Sequence, residues 1–209
     1  ITASADSPRA VSAADVDGDG DMDVLSASWS DGTIAWYEND GSQAFTNHTI
    51  TASASGANDV SAVDMDGDGD MDVLSSSSVD DTIAWYENDG SQAFTAHTIA
   101  TSVDAPGSVF AADMDGDGDM DVLSASERDD KIAWYENDGS ENFAAHTITT
   151  NADAAMSVFA ADMDGDGDMD VLSASFNDDT IAWYEQIPVP VVVVTTTNAT
   201  VTAYVTTYD

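Results

Sequence analysis

An all-β repeat fold follows from three observations on the 209-residue sequence. The acidic run that starts at Asp15 recurs from Asp64, Asp113 and Asp162, each 49 residues after the one before. Between the runs, short stretches of Val, Ile, Trp and Tyr are punctuated by Asn-Asp-Gly and Asp-Gly, the signature of strands and tight turns. No apolar pattern with the helical period of about 3.6 residues lasts beyond a few positions. Four strands per unit and a period of roughly 40 to 50 residues are those of β-propeller blades, whose sheets bury their faces against their neighbours. The sequence therefore predicts a propeller of four 49-residue, four-stranded repeats over residues 1–186, followed by an extended C-terminal β-strand tail over residues 187–209.

The elements follow the same order in every unit. In the third, Ser108–Asp113 forms a first strand, the acidic loop follows, and Met120–Ser126 forms a second strand. After a polar turn come Lys131–Glu136, the turn Asn137-Asp138-Gly139, and a fourth strand ending in His146-Thr147-Ile148. Strand alternation puts Ile34 and Trp36 on one face and Ala35 and Tyr37 on the other, so both faces are apolar and call for sheets packed on both sides. Trp36, Trp85, Trp134 and Trp183 are read as packing residues, and His48, His97 and His146, each in a different repeat, as structural strand-end residues. Trp29 falls outside the pattern, in a turn, and is read as a surface contact. The fourth unit stops after Glu185, while Ile1–Ser4 repeats the strand-ending Ile50–Ser53, so the N-terminus is expected to supply the last missing strand. In the tail, Pro188 and Pro190 exclude helix and central strand locally, and Val191–Val194 with the Thr-rich run favours extended backbone. Such a strand is expected to pair, either with the fourth sheet of its own chain or with the edge of a neighbour.

Composition bounds the function. Against 41 Asp and Glu stand three Lys and Arg, a formal net charge of −38, which repels nucleic-acid phosphates and anionic membranes and calls for bound cations. The hydrophobic fraction of 43% and five Trp supply a core that a disordered acidic chain lacks. There is no Cys, and no apolar run approaches the roughly 18 residues of a membrane helix. The chain begins at Ile1 rather than Met, as a processed N-terminus would.

The acidic run has the donors of a cation loop. In the first copy, side-chain oxygens at loop positions one, three, five and nine can converge on one ion, position seven offers its carbonyl, and glycine at six permits a sharp turn. Carboxylate and carbonyl oxygens without His or Cys select Ca²⁺, and Mg²⁺ is disfavoured by its small octahedron. A solvated acidic turn would instead crowd like charges at alternate positions without compensation. An EF-hand is excluded by Ser26 at position twelve, where Glu is required, and by the absence of flanking helices.

These units resemble the FG-GAP or VCBS-type repeats of integrin-α-like β-propellers, which carry a D-x-D-x-D-G-x-x-D calcium loop between two strands. The resemblance covers about residues 1–186 and implies four Ca²⁺, one per repeat. It assigns as ligands Asp15, Asp17, Asp19, Asp21 and Asp23; Asp64, Asp66, Asp68, Asp70 and Asp72; Asp113, Asp115, Asp117, Asp119 and Asp121; and Asp162, Asp164, Asp166, Asp168 and Asp170. The Phe-Gly and Gly-Ala-Pro signatures of that family are faint here, since Ala111 follows Phe110 and only Asp104–Ser108 is similar to the second.

No nucleophile is paired by sequence with a base, and the chain is read as a non-enzyme. Asn47 and Asn198 begin N-glycosylation sequons, and Thr195, Thr196, Thr197 and Thr200 near proline suit O-glycosylation. The leading expectation is an extracellular or cell-surface structural protein that forms a homo-oligomer or polymer through its C-terminal strand, without nucleic acid or membrane insertion. The alternative is an adhesin or lectin-like module for a protein or glycan ligand, and a third reading makes the propeller an accessory part of a larger enzyme.

Overall fold

A computed structural model describes residues 1–2, 4–186, 191–197 and 200–206, the last two segments as backbone only. Every element in it is a strand. The first sheet holds β1 (Pro8–Ala14), β2 (Asp23–Ser28), β3 (Thr33–Asn39) and β4 (Phe45–Thr51), hydrogen-bonded in that order. The second repeats it with β5 (Ala57–Val63), β6 (Asp72–Ser77), β7 (Thr82–Asn88) and β8 (Phe94–Ala100). The third holds β9 (Pro106–Ala112), β10 (Asp121–Ser126), β11 (Lys131–Asn137) and β12 (Phe143–Thr149). In the fourth, β13 (Ala155–Ala161), β14 (Asp170–Ser175) and β15 (Thr180–Glu185) are continued by β16 (Val191–Thr197) and β17 (Thr200–Thr206). The chain thus has the predicted propeller-type, all-β repeat fold.

The register is the same in each repeat. Leu25 faces Trp36, Leu74 faces Trp85, Leu123 faces Trp134 and Leu172 faces Trp183 across the second and third strands. Both faces of the third strand are buried as expected, with Ile34, Ala35, Trp36 and Tyr37 all under 5% exposed. In the first and fourth repeats a serine of the second strand meets the tyrosine hydroxyl of the third: Ser26 Oγ lies 3.2 Å from Tyr37 Oη, and Ser173 Oγ donates to Tyr184 Oη at 3.2 Å. A buried phenol left without such a partner would be destabilising.

The chain divides into two compact units, Ile1–Val109 and Phe110–Asp209. In the first, the core lies between consecutive sheets, where Leu25, Ala27, Ile34 and Trp36 pack with Ala57, Val60, Val73 and Tyr86. In the second, Leu123, Ala125 and Ile132 pack in the same way with Ala155, Val158, Val171 and Tyr184. Burying each such Leu or Ile contributes about 1.5–3 kcal/mol, so the stability of a repeat resides largely in its junction with the next.

Two expectations about the chain ends are revised. Residues 1, 2, 4 and 5 form no strand, and the place beside β15 is taken by β16, which pairs Trp183 with Val194, Tyr184 with Val193 and Glu185 with Val192. A strand that follows β15 directly closes a far shorter loop than one about 180 residues away in the chain, and the entropic cost grows with the logarithm of loop length. The tail is extended backbone, as expected, but it forms two strands paired antiparallel from Val191↔Thr206 to Thr197↔Thr200. A single strand standing off the body would leave a full row of N–H and C=O groups unpaired, which the hairpin halves.

Candidate metal centres

Each acidic loop joins the first strand of its sheet to the second, and its shape is fixed by its own carboxylates. The position-one acid closes the loop: Asp64 accepts from Gly67 N at 2.8 Å and Gly69 N at 3.1 Å, and Asp113 from Gly116 N and Gly118 N at the same distances. Asp162 does so with Gly165 and Gly167, and Asp15 accepts from Gly20 N at 2.9 Å. The position-three acids Asp17, Asp66, Asp115 and Asp164 each accept the N–H two residues on at 3.1 Å. Position five repeats the device, as Asp68 accepts from Asp70 N at 2.8 Å. These nested Asx turns need left-handed backbone, supplied in the first loop by Gly18 and Gly20 at φ 73° and 97°.

Position nine anchors the loop to the sheet. Asp23, Asp72, Asp121 and Asp170 are fully buried. One oxygen of Asp72 accepts from Met65 N at 2.9 Å and the other from Asn88 N at 2.7 Å, tying the start of the loop to the end of β7. Asp23 binds Val16 N and Asn39 N, Asp121 binds Met114 N and Asn137 N, and Asp170 binds Met163 N and Gln186 N.

Carboxylate oxygens converge in every repeat. Ligand atoms of Asp64, Asp66 and Asp72 lie within 4.8 Å of one another, as do those of Asp113, Asp115 and Asp121, and those of Asp162, Asp164 and Asp170. In the first repeat the convergent set is Asp15, Asp17 and Asp19, and Asp15 Oδ1 is buried without a hydrogen-bond partner. Burial and the neighbouring carboxylates raise the pKa of Asp17, Asp66 and Asp115 above the usual carboxylate value, and burial pushes Asp72 and Asp121 up to about 6. Hard oxygen donors, crowded and partly withdrawn from water, fit a divalent cation that would restore the ionised form. These four clusters can each hold a metal ion.

Position seven is placed otherwise. The Asp21 carboxylate lies against Gly41, Asp70 against Gly90 and Asp119 against Gly139, so closely that a Cβ on any of these glycines would collide with it. These acids pack on the Asn-Asp-Gly turn between the third and fourth strands, and the fourth repeat has no such turn for Asp168. Sequence reasoning also passed over the residue after the Tyr-Glu pair. Asn88 Nδ2 donates to Met71 O of its own loop and to Val16 O of the preceding loop, both at 3.2 Å. Gln186 Nε2 donates to Met114 O of the third loop at 2.7 Å. An amide side chain at this place in all four repeats is the signal that could have revealed it.

A family model for the FG-GAP-like repeat matches residues 15–75, 64–124 and 113–173, each match running from one acidic loop through the next. The chain belongs to the FG-GAP-like repeat family. A crystal structure of a protein from Lactobacillus plantarum is similar over 97% of this chain and 70% of that one, with a TM-score of 0.54 and 15% identity, a likeness of fold alone. Comparison with curated proteins gives no match.

The other residues singled out by sequence take structural places in this FG-GAP-like chain. His48 Nε2 lies 2.8 Å from Glu38 Oε2 with its ring stacked on Trp36, and His97 with Glu87 and His146 with Glu136 repeat the pair at 2.7 Å. Trp29 is partly exposed, lies beneath the Arg9 guanidinium and donates its Nε1–H to Ser78 Oγ at 3.2 Å. Asn47 is exposed on β4. Asn198 lies outside the described residues, as do the side chains of Thr195, Thr196, Thr197 and Thr200.

Proposed function

We propose that this protein is a non-catalytic, calcium-stabilised structural module that works outside the cell and assembles with copies of itself through its C-terminal strands. The observation that carries the reading is the fully buried position-nine aspartate, which belongs at once to the loop and to the hydrogen-bonding of the sheet. Each convergent set, such as Asp64, Asp66 and Asp72 in the second repeat or Asp15, Asp17 and Asp19 in the first, would hold one Ca²⁺. The ion supplies positive charge that lets the crowded carboxylates stay ionised, and the chain's own N–H groups orient them. Extracellular calcium modules commonly bind in about the 10⁻⁴–10⁻³ M range, which suits a site whose use is structural. Assembly is supported by β17, which ends the fourth sheet and offers one edge for pairing with another chain.

The test is electron microscopy of the purified chain in calcium buffer beside a variant lacking residues 187–209. Filaments or layers from the full chain and none from the variant are expected; a truncated protein that still forms them removes the tail from assembly. The alternative, a glycan- or protein-binding module, takes support from the exposed Trp29. Specific retention of a monomer on a glycan array in calcium buffer would favour it.

A further inference from the structure

Position two of the acidic loops carries no carboxylate, yet in the first and third loops it is tied on every side. Val16 N–H donates to Asp23 Oδ2 at 3.0 Å, and Val16 O accepts from Asn88 Nδ2 of the next repeat at 3.2 Å. Met114 N–H donates to Asp121 Oδ2 at 2.9 Å, and Met114 O accepts from Gln186 Nε2 of the next repeat at 2.7 Å. Both side chains are buried, Val16 in the core that holds Val73 and Tyr86 of the second repeat, and Met114 in the core that holds Val171 and Tyr184 of the fourth.

The residue that reaches back is itself bound to the position-nine aspartate of its own loop. Asn88 N–H donates to Asp72 Oδ1 at 2.7 Å, and Gln186 N–H donates to Asp170 Oδ1 at 2.9 Å. A single residue therefore spans two loops in each compact unit. One path runs from Asp72 through Asn88 to the peptide between Val16 and Asp17, the other from Asp170 through Gln186 to the peptide between Met114 and Asp115. Asp72 and Asp170 belong to the convergent carboxylate sets of the second and fourth loops, Asp17 and Asp115 to those of the first and third. Both ends of each path thus lie in a candidate cation cluster.

We infer that the loops take up calcium in pairs, first with second and third with fourth, and that Asn88 and Gln186 are the positioning residues that make each pair positively cooperative. The inference rests on the reading of the four clusters as calcium sites. Filling the second loop fixes Asp72 and with it the backbone of Asn88, whose side-chain amide then holds the peptide between Val16 and Asp17 in the orientation that presents Asp17. The shared residues are ordered once for the two loops, so the second uptake is easier than the first, and by linkage the effect is reciprocal. Repulsion between filled neighbours does not reverse the sign. Each loop carries five Asp and stays negative with one divalent ion in place, and the remaining field is screened over about 8 Å at 0.15 M salt.

The test is a calcium titration of the full chain followed by NMR with label on the glycine nitrogens, beside equilibrium dialysis for the number of ions bound. Gly20 and Gly69, whose N–H groups donate to Asp15 and Asp64, report the first and second loops, and Gly118 and Gly167 report the third and fourth. In the parent the two amides of a pair should shift together, with a Hill coefficient above about 1 and a ceiling of about 2 for two sites. Asn88→Ala keeps the N–H on Asp72, so it should bind as many Ca²⁺ as the parent, while the Gly20 and Gly69 curves fall to single-site steepness and move to higher calcium by about twofold or more. Gly118 and Gly167 should titrate as before. Gln186→Ala should give the converse, and Asn88→Gln, the amide that the fourth repeat uses at Gln186, should behave as the parent. Single-site steepness in the parent, or Ala variants as steep as the parent, would overturn the pairing and leave the calcium sites standing. Steepness lost in all four loops with Asn88→Ala alone would overturn it equally, since the path joins only two. A chain that binds no calcium would overturn both readings.

Discussion

Asp72 shows what a single residue contributes to this molecule. With both oxygens accepting backbone N–H groups and no exposure, it cannot be replaced by an isosteric amide without setting an NH₂ group against a donor. Asp72→Asn should therefore destabilise the calcium-loaded protein by about 1–3 kcal/mol, read from chemical denaturation, and lower the number of bound Ca²⁺ by one in equilibrium dialysis. Without a bound cation the fold has its own pH dependence. Burial raises Asp72 and Asp121 to about 6 in the folded state, above the ordinary carboxylate value, so the folded form binds more protons than the unfolded one between those values. Their contribution to stability is full below the unfolded pKa and is lost as pH rises through about 6. Denaturation in chelator should accordingly give a less stable protein at pH 8 than at pH 5, while calcium affinity rises over the same interval because the ligands need no longer release protons. Equal stability of the chelated protein at the two pH values would contradict this account of the loops.

At the scale of elements, the link between loops matters more than any one loop. Asn88 reaches from the end of β7 to the second loop and to Val16 O in the first. Asn88→Ala should raise hydrogen-exchange rates in the first loop as well as the second, although it leaves every carboxylate in place; exchange confined to the second loop would deny the link. The core makes a comparable demand on β10, where fully buried Leu123 faces Trp134. Leu123→Ala should cost about 2–5 kcal/mol in denaturant unfolding, the range for a large side chain removed from a packed core. The strands and acidic loops were legible from the sequence because period-two patterning, turn dipeptides and the 49-residue spacing all point to the same units. The tail hairpin was not, since Val191–Thr206 contains none of the Asn-Gly or Asp-Gly pairs that mark a two-residue turn. The packing of Asp21 on Gly41 was hidden for another reason: an acid that ligates and an acid that braces a turn look alike in a run where every second residue is Asp.

For the whole molecule, charge sets the conditions of folding. The formal charge of −38 is spread over a chain whose only Lys and Arg are Arg9, Arg128 and Lys131, so self-repulsion opposes compaction wherever cations are withheld. Chelation should lower the melting temperature, and added monovalent salt should restore part of the loss by screening, with a Debye length of about 8 Å at 0.15 M. A melting temperature indifferent to chelator would show that the carboxylate clusters contribute nothing to the fold. The tie from Asn88 to the first loop, and the matching one from Gln186 to the third, also bear on how the protein would yield under mechanical load. Each bond crosses from one repeat to its predecessor, at the same junction that holds the shared core. Under load the first two repeats should then yield together rather than one at a time, and so should the last two.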